Sequence, residues 1–338
     1  MDTICIFPRK LGLGGPASFQ SRLSEELRAN HVKVVYDPAD LSVAAVLVIG
    51  GTRYMGQLRS AKHRGVRIVQ RLNGMNWVHR QGNTGLKHFL RAEVNNWILS
   101  TIRREIADRI IYQSSFSQDW WAREKGKVDK PESVIYNGVN LEQFHPFGKK
   151  DLPFDRYRML LVEGHLGNGY EQGLFTAADA AVLLNKRLDR QLELMVVGDA
   201  PASLRNQADR DGLHIEWLGV VDRARIPEID RSAHVFYSSD INAACPNSVI
   251  EAMACGLPVA AYDTGALPEM VTGDSGRLAR YGTDPWKLQK PDLHTLVDAI
   301  GDVLHNYDSF SRAARAHAEE AFDIKLITRQ YMDVLLGE

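Results

Sequence analysis

The segment from residue 244 to residue 258 has the composition of a short anion-binding helix. Pro246 opens a helix-start signature, and Gly256 ends the helix after about two turns. A helix this short gains little stability from propensity alone. Its first turn instead offers backbone N–H groups without intrahelical partners and a partial positive charge. We therefore predict that the first residues of this helix bind a phosphate group, and these residues are Asn247, Ser248 and Val249.

Glu251 is the one acidic residue of this helix and follows its start by one turn. Its carboxylate falls on the side of Asn247 and Ser248, where it can accept hydrogen bonds from a pair of sugar hydroxyls. The alternative is an ordinary helix acid, favoured near the N-terminus by the helix dipole.

Two glycine-rich turns follow apolar strand patterns, one in each half of the chain. The first contains Gly14 and Gly15, and the second contains Gly164, Gly167, Gly169 and Gly173. Glycine allows the backbone to approach a phosphate closely at the start of the following helix. The alternatives are tight turns without a ligand or, for the first turn, an NAD site with Asp37 as the ribose acid. The first turn lacks the full GxGxxG spacing.

The elements that must position these turns form two successive strand-and-helix alternations, which is typical of parallel α/β sheets. Continuous Val and Ile runs such as 43–49 suit strands that are covered on both faces. The segment from His145 to Pro153 is rich in Pro, Gly and Lys and is interpreted as a linker. We expect two doubly wound, Rossmann-like domains that face each other across a cleft, which would be the active site. They are predicted to span 1–148 and 149–322, followed by a C-terminal helix at 323–338.

Composition excludes several classes of protein. The 338 residues are 44% hydrophobic and 25% charged, with three cysteines and no CxxC pair. This pattern argues against a disulfide scaffold or a thiolate zinc site and fits a cytoplasmic protein. The sequence has no apolar run long enough to span a bilayer, no secretory signal, and no HExxH, GxxxxGK[ST] or GxSxG motif. We predict no metal site.

The charge is unevenly distributed. Residues 53–130 contain 16 Lys/Arg against 6 Asp/Glu, although the whole chain has a net charge of −1. Within this stretch, Leu86–Arg91 and Trp97–Leu99 alternate apolar and basic groups at helical spacing. This pattern predicts a helix at an anionic membrane surface, with the inner face of the cell membrane as its location. The alternative is a solvated helix with its apolar side in the core. We expect no nucleic acid partner.

The chain as a whole resembles the retaining family-four glycosyltransferases of the GT-B fold. The Asn-Gly-Val-Asn block and the Asn-Ser-Val-Ile-Glu-Ala-Met-Ala-Cys-Gly block are specific to this resemblance. In such enzymes the last helix crosses back onto the first domain. The matching segments, in chain order, are Gly14–Gly15, Val134–Asn140 with Phe144 and Pro146, Leu161–Leu166, Pro246–Pro258 and Gly265–Val271.

The resemblance implies that the second domain holds a nucleotide-diphosphate sugar and the first domain holds the acceptor. Glu251 would bind the ribose, and the base would lie near Val220. Backbone N–H groups at Ser248–Val249 and around Gly164–Gly173 would bind the phosphates, without a metal or other cofactor. The acceptor hydroxyl would attack from the face of the leaving group, and the configuration would be retained. The expected acceptor is a cell-envelope glycan, a lipid-linked sugar or a secondary metabolite.

The sequence departs from the family pattern at three places. The first of two paired glutamates is replaced by Ala243, and Asp240 is out of register. The Arg and Lys that would bind the diphosphate correspond to His165 and Gln172. The histidine after a first-domain strand corresponds to Asn73, with His79 nearby. We predict catalytic roles for His165, His79 and Asn73 and a donor-binding role for Gln172.

These departures leave alternative functions open. The missing cations could be supplied from first-domain loops, by Arg9, Lys10 or Arg53. Without a substitute, the chain would be a catalytically impaired GT-B scaffold that binds a nucleotide sugar or a partner protein. A third class comprises other sugar-nucleotide enzymes, such as an epimerase or a phosphorylase, and NAD enzymes. We favour the glycosyltransferase.

Overall fold

A computed structural model describes residues 2–10, 12, 14–81, 85–167 and 171–337. The chain divides into two compact units. Unit 1 comprises residues 1–140 and 322–338, and unit 2 comprises residues 141–321. Strands and helices are numbered along the chain.

Unit 1 contains a parallel six-stranded sheet with the strand order β2-β1-β3-β4-β5-β6. The central strands are apolar and fully buried, as expected for a sheet with helices on both faces. The strands are β1 (Thr3–Phe7), β2 (Lys33–Val35), β3 (Ala45–Ile49), β4 (Arg67–Leu72), β5 (Arg109–Tyr112) and β6 (Glu132–Val134).

Five α-helices belong to unit 1 in the part of the chain that is described. The last helix of the chain packs on the first, where the rings of Phe19 and Tyr331 lie 5.3 Å apart. Arg67 also donates a 2.9 Å hydrogen bond to the carbonyl oxygen of Leu335. A π-helical turn, Ile102–Ile106, follows the third helix. The helices are α1 (Gly15–Ala29), α2 (Met55–His63), α3 (Leu86–Thr101), α4 (Ser115–Lys125) and α12 (Ile324–Leu336).

Unit 2 contains a second parallel six-stranded sheet, in the order β12-β11-β10-β7-β8-β9. Its strands are β7 (Tyr157–His165), β8 (Leu192–Asp199), β9 (Ile215–Gly219), β10 (Val235–Ser238), β11 (Val259–Tyr262) and β12 (Gly276–Ala279). Its helices are α5 (Glu171–Leu184), α6 (Ala202–Ala208), α7 (Ile226–Asp230), α8 (Asn247–Ala254), α9 (Leu267–Met270), α10 (Leu293–His305) and α11 (Tyr307–Ala321). The predicted α/β class with two parallel sheets is confirmed.

The boundary between the units lies at residues 140 and 141 rather than at 148 and 149. The segment interpreted as a linker is attached to unit 2. Phe144 is fully buried, and its carbonyl oxygen accepts a 2.8 Å hydrogen bond from Arg315. Arg231 donates to the carbonyl oxygens of His145 and Lys149. This segment, rich in Pro, Gly and Lys, is therefore irregular in structure but bound to unit 2 by hydrogen bonds.

Short 3-10 turns complete the described structure at Val78–Arg80, Arg223–Arg225 and Pro285–Lys287. None of the helices that the structure describes is both long enough and apolar enough to cross a membrane.

Candidate functional site

The carboxyl edge of the unit 2 sheet brings together the ends of three neighbouring strands. In parallel α/β sheets this edge is where ligands bind. At the end of β7, His165 lies with its Nδ1 atom 3.1 Å from an oxygen of Asp199, at the end of β8. Both side chains are exposed. The predicted His165 therefore has a carboxylate partner, Asp199, which sequence reasoning missed.

Two carboxyl groups lie at the same edge, on β7 and just after β10. Ser239 donates a 2.6 Å hydrogen bond to Glu163. Burial, and then the neighbouring carboxylate of Asp240, raises the pKa of Glu163 well above its usual range. Burial also raises the pKa of Asp240. Asp240 directly follows Ser239, whose hydroxyl contacts Glu163, so the two acids are neighbours, and the sequence alone gave no role to this acidic pair.

Glycines allow the loops at this edge to pack closely. A Cβ atom on Gly173, in the first turn of α5, would lie 2.4 Å from the Cβ atom of Ser239. Gly198 has a φ of +135°, and a Cβ there would lie 1.9 Å from the carbonyl oxygen of Glu163. Both contacts exclude any larger residue. The absence of a side chain at these two glycines therefore allows the backbone to pack closely against Glu163 and Ser239. Gly169 lies outside the described residues.

Gly164 and Gly167 flank His165 in the second glycine-rich turn. A Cβ on Gly167 would lie 3.1 Å from Nε2 of His165, so the turn closes over the ring. Gly164 is exposed, and a Cβ there would meet no atom within 4 Å. Phosphate binding by this turn stays a prediction.

The helix α8 spans Asn247–Ala254, as its start and stop signals predict. Pro246 occupies the N-cap position in an extended conformation, and no side chain caps the helix. The backbone N–H groups of the first turn have no acceptor within the helix, and the helix dipole adds partial positive charge. Asn247 and Ser248 are half-buried, and Val249 is fully buried. These residues form the first turn of α8 as predicted, and their binding of an anion stays a prediction.

The carboxylate of Glu251 is buried one turn inside α8 and lies beside a cation. The Nη2 atom of Arg223 is 3.8 Å from its Oε1 atom. Arg223 belongs to a 3-10 turn that Asp222 caps by accepting a hydrogen bond from the N–H of Ala224. Val220, near which the base was expected, is exposed just after β9. Sequence reasoning missed Arg223, which comes next to α8 only through the fold.

Ala243 stands where the family pattern has a glutamate, and its backbone is fixed by contacts with residues 265 and 266. The carbonyl oxygen of Ala243 accepts a 2.8 Å hydrogen bond from the N–H of Ala266. Gly265 is packed against the same residue, with a Cβ position only 2.6 Å from the nitrogen of Ala243. The loop before α8 is therefore anchored without a carboxylate at this position.

The side chain of Gln172 is directed along its own helix. Its Nε2 atom donates to the hydroxyl of Thr176 at 3.4 Å. Gln172 also lines a cavity of about 560 Å³ beside α5, together with Arg210 and Lys290. None of the other predicted donor-binding residues lines this cavity.

The predicted residues of unit 1 lie near the ends of β1 and β4. Gly14 caps α1, and its carbonyl oxygen accepts hydrogen bonds from the N–H groups of Ala17 and Ser18. Gly15 is the first residue of that helix. The carbonyl oxygen of Asn73 accepts a 2.7 Å hydrogen bond from the indole of Trp121. Its own buried Oδ1 atom has no hydrogen-bond partner among the described residues.

His79 is buried, and its Nε2 atom lies 2.8 Å from a carboxylate oxygen of Glu93. Hydrogen bonds from Arg80, and then from His79, lower the pKa of Glu93 to about 2. The edge of the Phe89 ring packs on the imidazole with the ring centroids 5.1 Å apart. This imidazole therefore fixes a turn against α3, and its expected catalytic role stays a prediction.

The three candidate cations of the first-domain loops have different environments. The guanidinium of Arg9 lies over the ring of Tyr36, 4.9 Å from its centroid. Burial lowers the pKa of Lys10, whose backbone N–H donates to Gln20. Arg53 is exposed.

Comparison with known proteins identifies this architecture. Residues 158–306, all in unit 2, match the family model described as "Glycosyl transferases group 1". Over the whole chain, the structure is similar to a sucrose-phosphate synthase from Thermosynechococcus elongatus, with a TM-score of 0.77 and 17% identity, covering 100% of both chains. It is also similar to HepE of Anabaena in complex with UDP and glucose, with a TM-score of 0.71 and 18% identity over 100% of both chains.

Relatives by sequence belong to the same class. A phosphatidyl-myo-inositol mannosyltransferase of Mycobacterium tuberculosis is 29% identical over 75% of this chain and 65% of its own length. A D-inositol 3-phosphate glycosyltransferase of Catenulispora acidiphila is 27% identical over 63% of this chain and 52% of its own length. The chain thus spans less than two thirds of these relatives.

Two doubly wound units with parallel six-stranded sheets define a protein of the GT-B class. Within this fold class, the family match in unit 2 and the sequence relatives are all glycosyltransferases. Residues 158–306 thus carry a group 1 glycosyltransferase match, and the resemblance stated from the sequence is confirmed for the GT-B fold and for this part of unit 2.

Proposed function

We propose that this chain is a retaining glycosyltransferase that moves a sugar from a nucleotide-diphosphate sugar to an acceptor hydroxyl. The observation that carries the proposal is the start of α8. It is a helix N-terminus after β10 that begins with Pro246 at the N-cap position, with the buried Glu251 and its cationic neighbour Arg223 one turn inside. An anion at the tip and a diol beside the carboxylate are what a nucleotide diphosphate presents.

The donor would be held at the carboxyl edge of the unit 2 sheet. The first N–H groups of α8, at Asn247, Ser248 and Val249, bind the diphosphate, and Glu251 accepts hydrogen bonds from the ribose hydroxyls. The base lies near Val220, at the end of β9. Further backbone contacts to the phosphates come from Gly164 and Gly167. The predicted donor-binding roles of Gly14, Gly15 and Gln172 are separate from this set, because Gly14 and Gly15 belong to unit 1 and Gln172 lines a different cavity.

The chemical task of the site is to stabilise the negative charge that grows on the leaving diphosphate. The α8 tip and Arg223 supply positive charge for this purpose, and His165 is a polar contact at the same edge of the sheet. The acceptor hydroxyl attacks an oxocarbenium-like sugar from the face of the leaving group, so that the configuration is retained. Its proton passes to the departing phosphate. In this scheme no step requires a metal or another cofactor.

The acceptor would be bound by unit 1, where Asn73 and His79 are the proposed contacts. Its class is a cell-envelope glycan, a lipid-linked sugar or a secondary metabolite. Two kinds of relative support this choice, the phosphatidyl-myo-inositol mannosyltransferase and a lipopolysaccharide core mannosyltransferase of Rhizobium meliloti. We place the reaction in the cytoplasm, at the inner face of the membrane.

A donor screen tests the proposal. UDP-, GDP-, CDP- and dTDP-sugars are added to the purified chain, and thermal unfolding and sugar release are followed. At least one donor should raise the melting temperature, because a ligand that binds only the folded state stabilises it. Glu251→Gln should abolish the shift, whereas Glu216→Gln, in β9, should preserve it. If no donor shifts the transition, the assignment of unit 2 is wrong. A shift without turnover over a panel of acceptors would instead identify the catalytically impaired scaffold.

A further inference from the structure

We propose that α3 docks unit 1 onto an anionic lipid surface through a stripe of four exposed apolar side chains. The α3 stripe consists of Leu86, Leu90, Val94 and Trp97, which are 75%, 55%, 46% and 59% exposed. Their spacing of four, four and three residues places them on one face of the helix. The inference does not depend on the sugar-transfer reaction, because it concerns the surface to which the protein binds.

The α3 stripe is a second face of a helix that already has a packed side. Ala92, Asn96 and Ile98 are buried and attach α3 to unit 1. The side chain of Asn96 also accepts a 3.0 Å hydrogen bond from the backbone N–H of Asn76. The buried Ala92 and Ile98 agree with the alternative interpretation of α3 as a helix with an apolar side in the core, and the α3 stripe lies outside this packed side. A contiguous exposed apolar patch of this kind marks an interaction surface.

Cations border the α3 stripe. Lys87 and Arg91 are exposed and lie one turn apart, on the flank next to Val94. On the other flank, Glu93 is the only acidic residue of the helix, and its carboxylate accepts hydrogen bonds from Arg80 at 2.7 and 3.0 Å. The acid is thereby neutralised.

The charges around the α3 stripe distinguish between two binding partners, a second copy of this chain and a lipid surface. Two copies of this chain that met through the stripe about a twofold axis would place like cations close to one another, which opposes association. An anionic bilayer surface complements the cations and accepts the apolar side chains at the same time. The surplus of positive charge in residues 53–130 includes Arg71 and Arg103, which are buried, so the exposed Lys87 and Arg91 carry the attraction. A lipid surface is therefore the occupant that the pattern fits best.

The mode of contact follows from the side chains. An interfacial helix lies in the plane of the membrane with its apolar face below the headgroups. Trp97 and Leu90 would enter the acyl boundary. Lys87 and Arg91 would remain at the level of the lipid phosphates, because their apolar stems can follow the surface while the charges stay in water.

Co-sedimentation of the full chain with vesicles tests the inference, in the absence of donor and acceptor. Vesicles of phosphatidylcholine with about one third phosphatidylglycerol should pellet the protein at low salt, and pure phosphatidylcholine should pellet much less. The triple variant Leu86→Ser/Leu90→Ser/Trp97→Ser should bind the anionic vesicles at least tenfold more weakly. Leu41→Ser is the matched control, since Leu41 is an exposed apolar residue of unit 1 outside α3.

Charge removal tests the second half of the inference. Lys87→Ala/Arg91→Ala should weaken binding to anionic vesicles by roughly fivefold for each charge removed, and added salt should abolish this difference. Lys186→Ala/Arg187→Ala, which removes two cations from unit 2, should bind as the parent chain does. The donor-induced rise in melting temperature should be the same in the triple variant, so that this outcome is independent of the proposed reaction.

Three results would overturn the inference. These are no sedimentation with anionic vesicles at low salt, equal binding by the triple variant, and a dimer in light scattering that the triple variant dissociates. The last result would identify a second copy of the chain as the occupant of the α3 stripe.

Discussion

Arg223 lies with its Nη2 atom 3.8 Å from the Oε1 atom of Glu251, although the two residues are 28 positions apart in the chain. The pair joins the 3-10 turn after β9 to the first half of α8. In the family pattern an Arg and a Lys bind the diphosphate, and the resemblance aligns these positions with His165 and Gln172. Arg223 is a cation that the fold brings to the first half of α8. We propose that it takes over part of their role.

Arg223→Ala is expected to lower turnover by about tenfold to a hundredfold, because one stabilising group for the leaving diphosphate is removed. Donor affinity should fall as well, since Glu251 loses its cationic neighbour. Steady-state kinetics with the donor found in the screen measures both effects. Arg225→Ala removes a cation from the same turn, and it should remain within about twofold of the parent chain. Equal losses in both variants would contradict a specific role for Arg223.

His165→Ala should reduce kcat by tenfold or more and leave the KM for the donor nearly unchanged. The Nδ1 atom of the imidazole lies 3.1 Å from a carboxylate oxygen of Asp199 at the carboxyl edge of the sheet, where we propose that the ring contacts the leaving group. His214→Ala is a suitable control, because His214 immediately precedes β9, at the opposite end of that strand. An unaltered rate in His165→Ala would remove this residue from the site.

The sequence predicted those parts of the site that depend on local signals. The start and end of α8 follow from Pro246 and Gly256, whose effects on the backbone are confined to a few neighbouring residues. The parallel sheets follow from runs of apolar residues between helical segments. These patterns were sufficient for the fold class and for the position of Glu251.

Contacts between residues that are distant in the chain could not be predicted in this way. Glu163 lies beside Asp240 because β7 and β10 are neighbours in the sheet, and strand order is a tertiary property. The pairing of His79 with Glu93 depends on how a 3-10 turn meets α3. The amphipathic pattern predicted α3 as a helix, but the side that faces solvent is set by the packing of Ala92 and Asn96.

Glu163 should make stability fall as pH rises. Burial, and then Asp240, raises its pKa in the folded state above the unfolded value of about 4.3. The folded state therefore holds its proton more tightly, and the free energy of unfolding decreases from about pH 4.3 up to the folded pKa. The slope is at most about 1.4 kcal/mol per pH unit.

Glu163→Gln should remove this dependence while preserving an acceptor for the hydroxyl of Ser239. Urea unfolding of unit 2 at pH 5 and pH 8 measures the effect, and the variant should gain stability relative to the parent chain at the higher pH. Asp211→Asn, which alters an exposed carboxylate, should run parallel to the parent chain. If the free energy of unfolding of Glu163→Gln has the same pH dependence as that of the parent chain, ionisation of Glu163 does not destabilise the fold and the prediction is wrong.

Glu93 should have the opposite pH dependence. Its pKa in the folded state is lowered to about 2, first by Arg80 and then by His79, so the ionised form stabilises the fold above the unfolded pKa of about 4.3. This contribution is lost as the pH falls from about 4.3 toward 2. Because the pair with Arg80 is partly exposed, solvent screening limits it to about 1 kcal/mol. Glu93→Gln should lose this amount of stability at pH 7 and approach the stability of the parent chain near pH 2.5.

Glu105→Gln is the control. It breaks a surface pair with Arg59 at 3.1 Å, and it should cost only a few tenths of a kcal/mol. If both variants lose the same amount, the turn at His79 does not fix α3, and the orientation of the α3 stripe must be set by its buried side chains alone.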